Sequence, residues 1–103
     1  MADGILFTAD LAANTDTDVA TVPGGENWSF KVIFCNRTGA PINVRLALAT
    51  DGTPAASEWV EYDYEVQPNS SYPVEGLMLQ ETYHVVARAS AAGISCNGIG
   101  VRA

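Results

Sequence analysis

Residues 27–51, NWSFKVIFCNRTGAPINVRLALATD, carry two period-two apolar patterns separated by a compact turn, and no other stretch restricts the fold as tightly. In the first run Trp28, Phe30, Val32 and Phe34 fall on one side, with Ser29, Lys31, Ile33 and Cys35 on the other. In the second, Ile42, Val44, Leu46 and Leu48 alternate with Asn43, Arg45, Ala47 and Ala49. Successive strand side chains point to opposite faces of a sheet, so each run buries one face. Between them Asn36 can open a turn, Gly39 can take a positive φ, and Pro41 can stand only at the beginning of a strand. The pattern predicts a β-hairpin, and a hairpin this apolar must be covered by a second sheet.

The rest of the chain supplies that cover. Ile5, Phe7, Ala9 and Leu11 share one face of a predicted first strand, residues 5–11, which residues 14–17 then turn. Residues 18–22 read as a short strand ended by Pro23, Gly24 and Gly25. After a loop over 51–57, Val60, Tyr62, Tyr64 and Val66 alternate against Trp59, Glu61, Asp63 and Glu65, which favours strand over helix for 58–66. Residues 71–79 contain Pro73 and Gly76 and suit an edge strand or a crossing connection. Residues 82–90 and 93–101 form a predicted last pair joined at 91–93, with Gly98 and Gly100 marking a bulge or a close backbone approach. Short strands punctuated this way, with no helical period, predict an all-β fold: a single domain over 1–103, an antiparallel β-sandwich of seven to eight strands, of jelly-roll or other Greek-key type. The separation of Cys35 and Cys96 raises an immunoglobulin domain as the alternative. That reading fails because no Trp follows Cys35 closely and Ile94, not Tyr, stands two residues before Cys96.

A chain of 103 residues can build its own core without metals or disulfides. Its formal charge of -7 argues against nucleic acid or an anionic membrane as partner, and no apolar run approaches the roughly 20 residues of a membrane span. The N-terminal MADGILFTADLAA carries an acid where a secretion signal has its basic region, so no signal is expected, and Cys35 and Cys96 are read as reduced structural residues. Two cysteines on adjacent strands of a sandwich could also pair. The glycosylation-type triplets at Asn27, Asn36 and Asn69 are then coincidences of a β-protein rich in Ser, Thr and Asn.

Catalytic chemistry finds little material. His84 is the only histidine, placed in a strand between Tyr83 and Val85, where a solvated or hydrogen-bonded role is expected. A Cys–His pairing with Cys35 or Cys96 is conceivable in a sandwich, but no nucleophile motif accompanies either thiol. Asn14, Asp16 and Asp18 begin like a calcium loop, yet an EF-hand would need Gly and Glu where Val19 and Gly25 stand, which leaves a polar turn. Glu61, Asp63 and Glu65 line one face of a strand, ready to pair with Lys31, Arg45 or Arg88 on other strands. No catalytic, cofactor or metal residues are therefore expected, and the protein is not read as an enzyme.

In order along the chain, ILFTADLAANT, TVPGG, FKVIFCNRTGAPINVRLAL, WVEYDY, GLML and ASAAGISCNGI resemble the succession of strands and turns in small all-β virion structural proteins of tailed bacteriophages. The resemblance implies a virion protein that cements or decorates the capsid, or a tail or fibre component. It also implies major capsid or tail proteins as partners and a homo-oligomer or a many-copy arrangement. Candidate interface residues, taken from where exposed apolar groups are expected, are Ile5, Phe7 and Leu11 in the first strand and Trp59, Tyr62 and Tyr64 in residues 58–66. The alternative is a carbohydrate- or receptor-binding module with Trp28, Trp59 and Tyr72 as stacking platforms.

Overall fold

The computed structural model describes residues 3–103; Met1 and Ala2, at the start of the segment read above for a secretion signal, lie outside them. Eight strands follow in order: β1 (Asp3–Leu11), β2 (Thr17–Thr21), β3 (Trp28–Asn36), β4 (Ile42–Ala49), β5 (Trp59–Val66), β6 (Ser71–Leu79), β7 (His84–Ala89) and β8 (Ile94–Arg102). They form two sheets, β1-β8-β3-β6 (sheet A) and β2-β7-β4-β5 (sheet B), with every neighbouring pair antiparallel. Eight strands in these two orders make a jelly roll, one of the two architectures expected.

The connectivity corrects two expectations. β3 and β4 do not pair as a hairpin: β3 hydrogen-bonds β6 and β8, whereas β4 hydrogen-bonds β5 and β7. The predicted last pair likewise separates, with β7 in sheet B and β8 in sheet A. A hairpin would have set both apolar faces on one side of a single layer. Crossing between sheets instead turns Trp28, Phe30, Val32 and Phe34 toward Ile42, Val44 and Leu46, and all seven are buried. Each large side chain fully withdrawn from water contributes about 1.5–3 kcal/mol, so the two runs are each other's cover.

Asn36 fixes that crossing. Among the described residues it is the buried polar one, at 1% exposure, and its side chain is fully engaged. Nδ2 donates to the carbonyls of Ala40 (2.8 Å) and Val66 (3.1 Å), while Oδ1 accepts from the Thr38 amide (2.9 Å) and hydroxyl (2.7 Å). The first and last two bonds shape the turn; the Val66 bond ties the end of β3 to the end of β5 in the opposite sheet. Neighbouring connections join there through Asn36 N to Ser70 O, Asn69 N to Thr38 O and Arg37 N to Gly93 O.

Two glycines let β8 sit in the middle of sheet A. A Cβ at Gly98 would run into the ring of Phe7, and one at Gly100 into the backbone of Ser29 and Phe30. Gly100 is the close backbone approach its place in the strand suggested, while Gly98 makes room for a side chain. β6 is an edge strand, with Pro73 opposite Ile33 and an irregularity next to Gly76, which has φ 77°. In β1 the register shifts between Ile5 and Phe7, so Ile5 stands opposite Ile99 and Phe7 opposite Gly98. The extra residue at this bulge puts Ile5 and Phe7 on opposite faces, correcting the expectation that they share one.

Candidate functional site

The outer face of sheet B is finished by the protein's own side chains. Ala47, Ala49 and Val86 point away from the main core yet are 0% exposed, because Trp59 lies across them. The approach to Trp59 is set by Glu58, whose carboxylate accepts from the amides of Thr50 (3.1 Å) and Ala55 (2.8 Å) and so closes the loop before β5. Tyr62 meets Trp59 edge to face, with centroids 5.8 Å apart and planes at 74°. The Arg45 guanidinium lies 4.0 Å from the Tyr62 centroid and 6.0 Å from that of Trp59.

Arg45 and Arg88 stand directly opposite one another on β4 and β7, a repulsive arrangement for like charges. Each is neutralised from outside: Asp63 accepts from Arg45 Nε (2.6 Å) and Nη2 (3.2 Å), and Asp16 accepts from Arg88 Nη1 (3.2 Å). The result is a row of Asp16, Arg88, Arg45 and Asp63 across the sheet. The hydrogen bond with Arg45 holds Asp63 below the usual carboxylate range and raises Arg45 in turn. Asp63 reaches Arg45 because it takes φ 57° at an irregularity in the β4–β5 ladder. Asp tolerates that left-handed conformation better than most residues. Beside this row lies a cleft of about 210 Å³ to which Asn14, Asn43 and Ser90 also contribute.

The same irregularity divides β5, whose alternation does not hold over its whole length. Val66 enters the core, while Val60, Tyr62 and Tyr64 remain substantially exposed. Tyr64 stacks on Tyr72 of β6 at 3.7 Å and 14°, and the Tyr72 hydroxyl donates to Glu61 (3.1 Å), closing one side of the sandwich. Burial first, then that hydrogen bond, raises the Tyr72 phenol above its ordinary value.

Among the described residues the outer face of sheet A has no such finish. Register places Ile5, Ile99 and Lys31 in one row, Val101, Ser29 and Met78 in a second, and Asn97, Ile33 and Pro73 in a third. Met78 is 75% exposed, Ile5 69% and Val101 40%, with Ile33 and Ile99 half-buried between them. Lys31 stands among them, and the Arg37–Asp10 ion pair lies toward the end of the face.

Of the six candidate interface residues, Ile5, Tyr62 and Tyr64 are exposed and Trp59 is half-buried. Phe7 (9%) and Leu11 (2%) belong to the core and are corrected accordingly: past the bulge their side of β1 faces inward. Trp28 is buried too, with Nε1 donating to Glu26 (3.0 Å), so it offers no stacking surface. Met78, Ile99 and Val101 were missed; their signal lay in the outward positions of β6 and β8, legible once the strands neighbouring β3 are known.

The remaining reactive groups lie apart. His84 Nδ1 is 2.6 Å from Asp18 Oδ2 and 3.0 Å from Thr21 Oγ1, a hydrogen-bonded strand histidine on the outside of sheet B. Both cysteines are free and belong to sheet A, where Cys35 faces outward and Cys96 inward on the adjacent strand. Opposite faces preclude a bond between them, and burial pushes the Cys96 thiol up to about 12. The acids of the 14–18 turn are engaged by Arg88 and His84, and among the described residues no group of three metal-ligating side chains gathers. No family model matches the chain, and no curated protein or solved structure matches it significantly.

Proposed function

We propose that the protein is a structural assembly component of a tailed-phage virion, a capsid cement or decoration protein, which docks through the outer face of sheet A onto another particle protein. The observation that carries the docking reading is the uncovered apolar face of Ile5, Ile33, Met78, Ile99 and Val101. Ile5, Ile99 and Val101 are neighbours on β1 and β8, with Ile33 and Met78 set among Lys31 and Ser29, and exposed apolar surface of this kind on a four-stranded sheet marks interaction sites. The jelly roll is among the folds that viral capsid proteins use, and the resemblance in strand and turn order supplies the phage context. Many copies on a symmetric lattice would sum individually weak contacts into firm adhesion.

Light scattering of the purified protein, followed by co-sedimentation with intact phage particles from its source, tests this. Binding in lattice-like copy number that Met78→Asp or Ile99→Asp abolishes is the expected result. A wild-type monomer that neither self-associates nor sediments with particles would overturn it.

The second reading is a carbohydrate-binding role in a tail or fibre. The exposed Tyr62 beside Trp59 favours it.

A further inference from the structure

The geometry points to a binding site for a neutral oligosaccharide on the outer face of β4, β5 and β7, formed by the Trp59–Tyr62 corner and the polar cleft next to it. This assignment rests on the second reading above and gives it a site and a ligand class. Tyr62 is 59% exposed and, with Trp59 and Ala56, lines an open notch of about 380 Å³. Arg45 occupies one face of Tyr62, and the C–H face of a pyranose packs against the ring surface that stays exposed, with Trp59 set at 74° beside it.

The cleft supplies the complementary polar contacts. Asn43, Arg45, Asp63, Arg88 and Ser90 set donors and acceptors side by side. Sugar hydroxyls both donate and accept, and a mixed lining satisfies them where a single-sign lining would not. Charge selects against an ion, because Asp63 neutralises Arg45 and Asp16 neutralises Arg88. Neither arginine is left as a bare cation for a carboxylate or phosphate, although the chain as a whole carries -7.

Spacing and rigidity fit an oligosaccharide rather than a single sugar. Asn43, Arg45 and Ala47 lie on one face of β4, with Trp59 opposite Ala47. The near edges of cleft and notch, Arg45 and Ala47, are thus two strand residues apart, roughly 7 Å, so neighbouring sugar units can occupy both. Arg45 is held by two bonds to Asp63 and by the Tyr62 ring, so little side-chain freedom remains to be lost on binding.

The test presents biotinylated full-length protein on streptavidin to an array of neutral and sialylated oligosaccharides. Multivalent display keeps weak single-site affinity detectable. The expected result is retention on neutral glycans, weakened about tenfold by Tyr62→Ala. Met78→Asp on the opposite face should leave it unchanged. Retention of no glycan at all overturns the carbohydrate reading itself. Retention that Tyr62→Ala and Arg88→Gln both leave intact, or that is confined to sialylated glycans, overturns this site while leaving carbohydrate binding standing. Circular dichroism of each variant confirms the folded state against which retention is read.

Discussion

Sheet A and sheet B contribute four strands each and share one core, yet their outer faces differ in kind. On sheet B the outward residues include Ala47, Ala49 and Val86, small enough for Trp59 to lie over them, and arginines matched to aspartates from the flanking segments. On sheet A the outward residues include Ile5, Ile33, Ile99, Val101 and Met78, large and without any such cover among the described residues. The difference teaches that strand alternation sorts side chains into two sets without deciding how the outer set is finished. Lateral neighbours decide that, and on sheet A none among the described residues lies over the outer set.

The cysteines give the largest expected contrast. Iodoacetamide followed by mass spectrometry should modify Cys35 in the native protein, since it faces outward on sheet A. Cys96 should react on the order of a thousandfold more slowly, because its thiol is 0% exposed, holds its proton up to about 12, and becomes available only on unfolding. Comparable rates would mean that sheet A opens readily.

Charges inserted into the two outer faces should differ next. Val86→Asp places a carboxylate beneath Trp59 and should cost about 3 kcal/mol or more, whereas Met78→Asp should stay within about 0.5 kcal/mol in urea unfolding. Equal costs would show that the face of sheet A is not free in the isolated protein.

Trp59→Ala should cost about 2 kcal/mol, less than the usual loss for a fully buried Trp because this one is half-buried. A thermal midpoint close to wild type would show that Ala47, Ala49 and Val86 need no cover.

The smallest effect belongs to the Arg45–Asp63 pair. Asp63 has its folded-state pKa depressed by Arg45, so its contribution is present above the ordinary carboxylate range and declines as pH falls through the folded value. Asp63→Asn should lower stability slightly at neutral pH and flatten the acid side of the pH profile. An unchanged acid limb would assign the acid response to other carboxylates.

Much of this architecture is legible in residue order. The inward faces of β3 and β4, Pro73 on an edge strand and the close backbone approach at Gly100 all follow from period and residue type. Partner choice is not, because a strand with one apolar face is equally satisfied in a hairpin or across a sandwich. The pairing of β3 with β8 and β6 depends on distant strands, from Cys35 opposite Ser71 to Trp28 opposite Arg102. Bulges explain the misplaced sites: one extra residue put Phe7 and Ile5 on opposite faces, and another brought Asp63 to Arg45. The polar cleft beside Arg45 was illegible for a related reason, since Asn43, Arg45, Arg88 and Ser90 are neighbours only once β7 has joined β4.

Local alternation and turn chemistry, then, are determined by the sequence itself: seven to eight short strands, the inward faces of the regular ones and an Asn that opens the turn after Cys35, because φ/ψ preference and side-chain polarity act over a few residues. Tertiary structure alone decided which strands became neighbours, where each bulge moved a side chain across the sheet, and which outer face was left open. Those outcomes are settled by long-range packing, in which each strand's exposed side depends on what lies beside it.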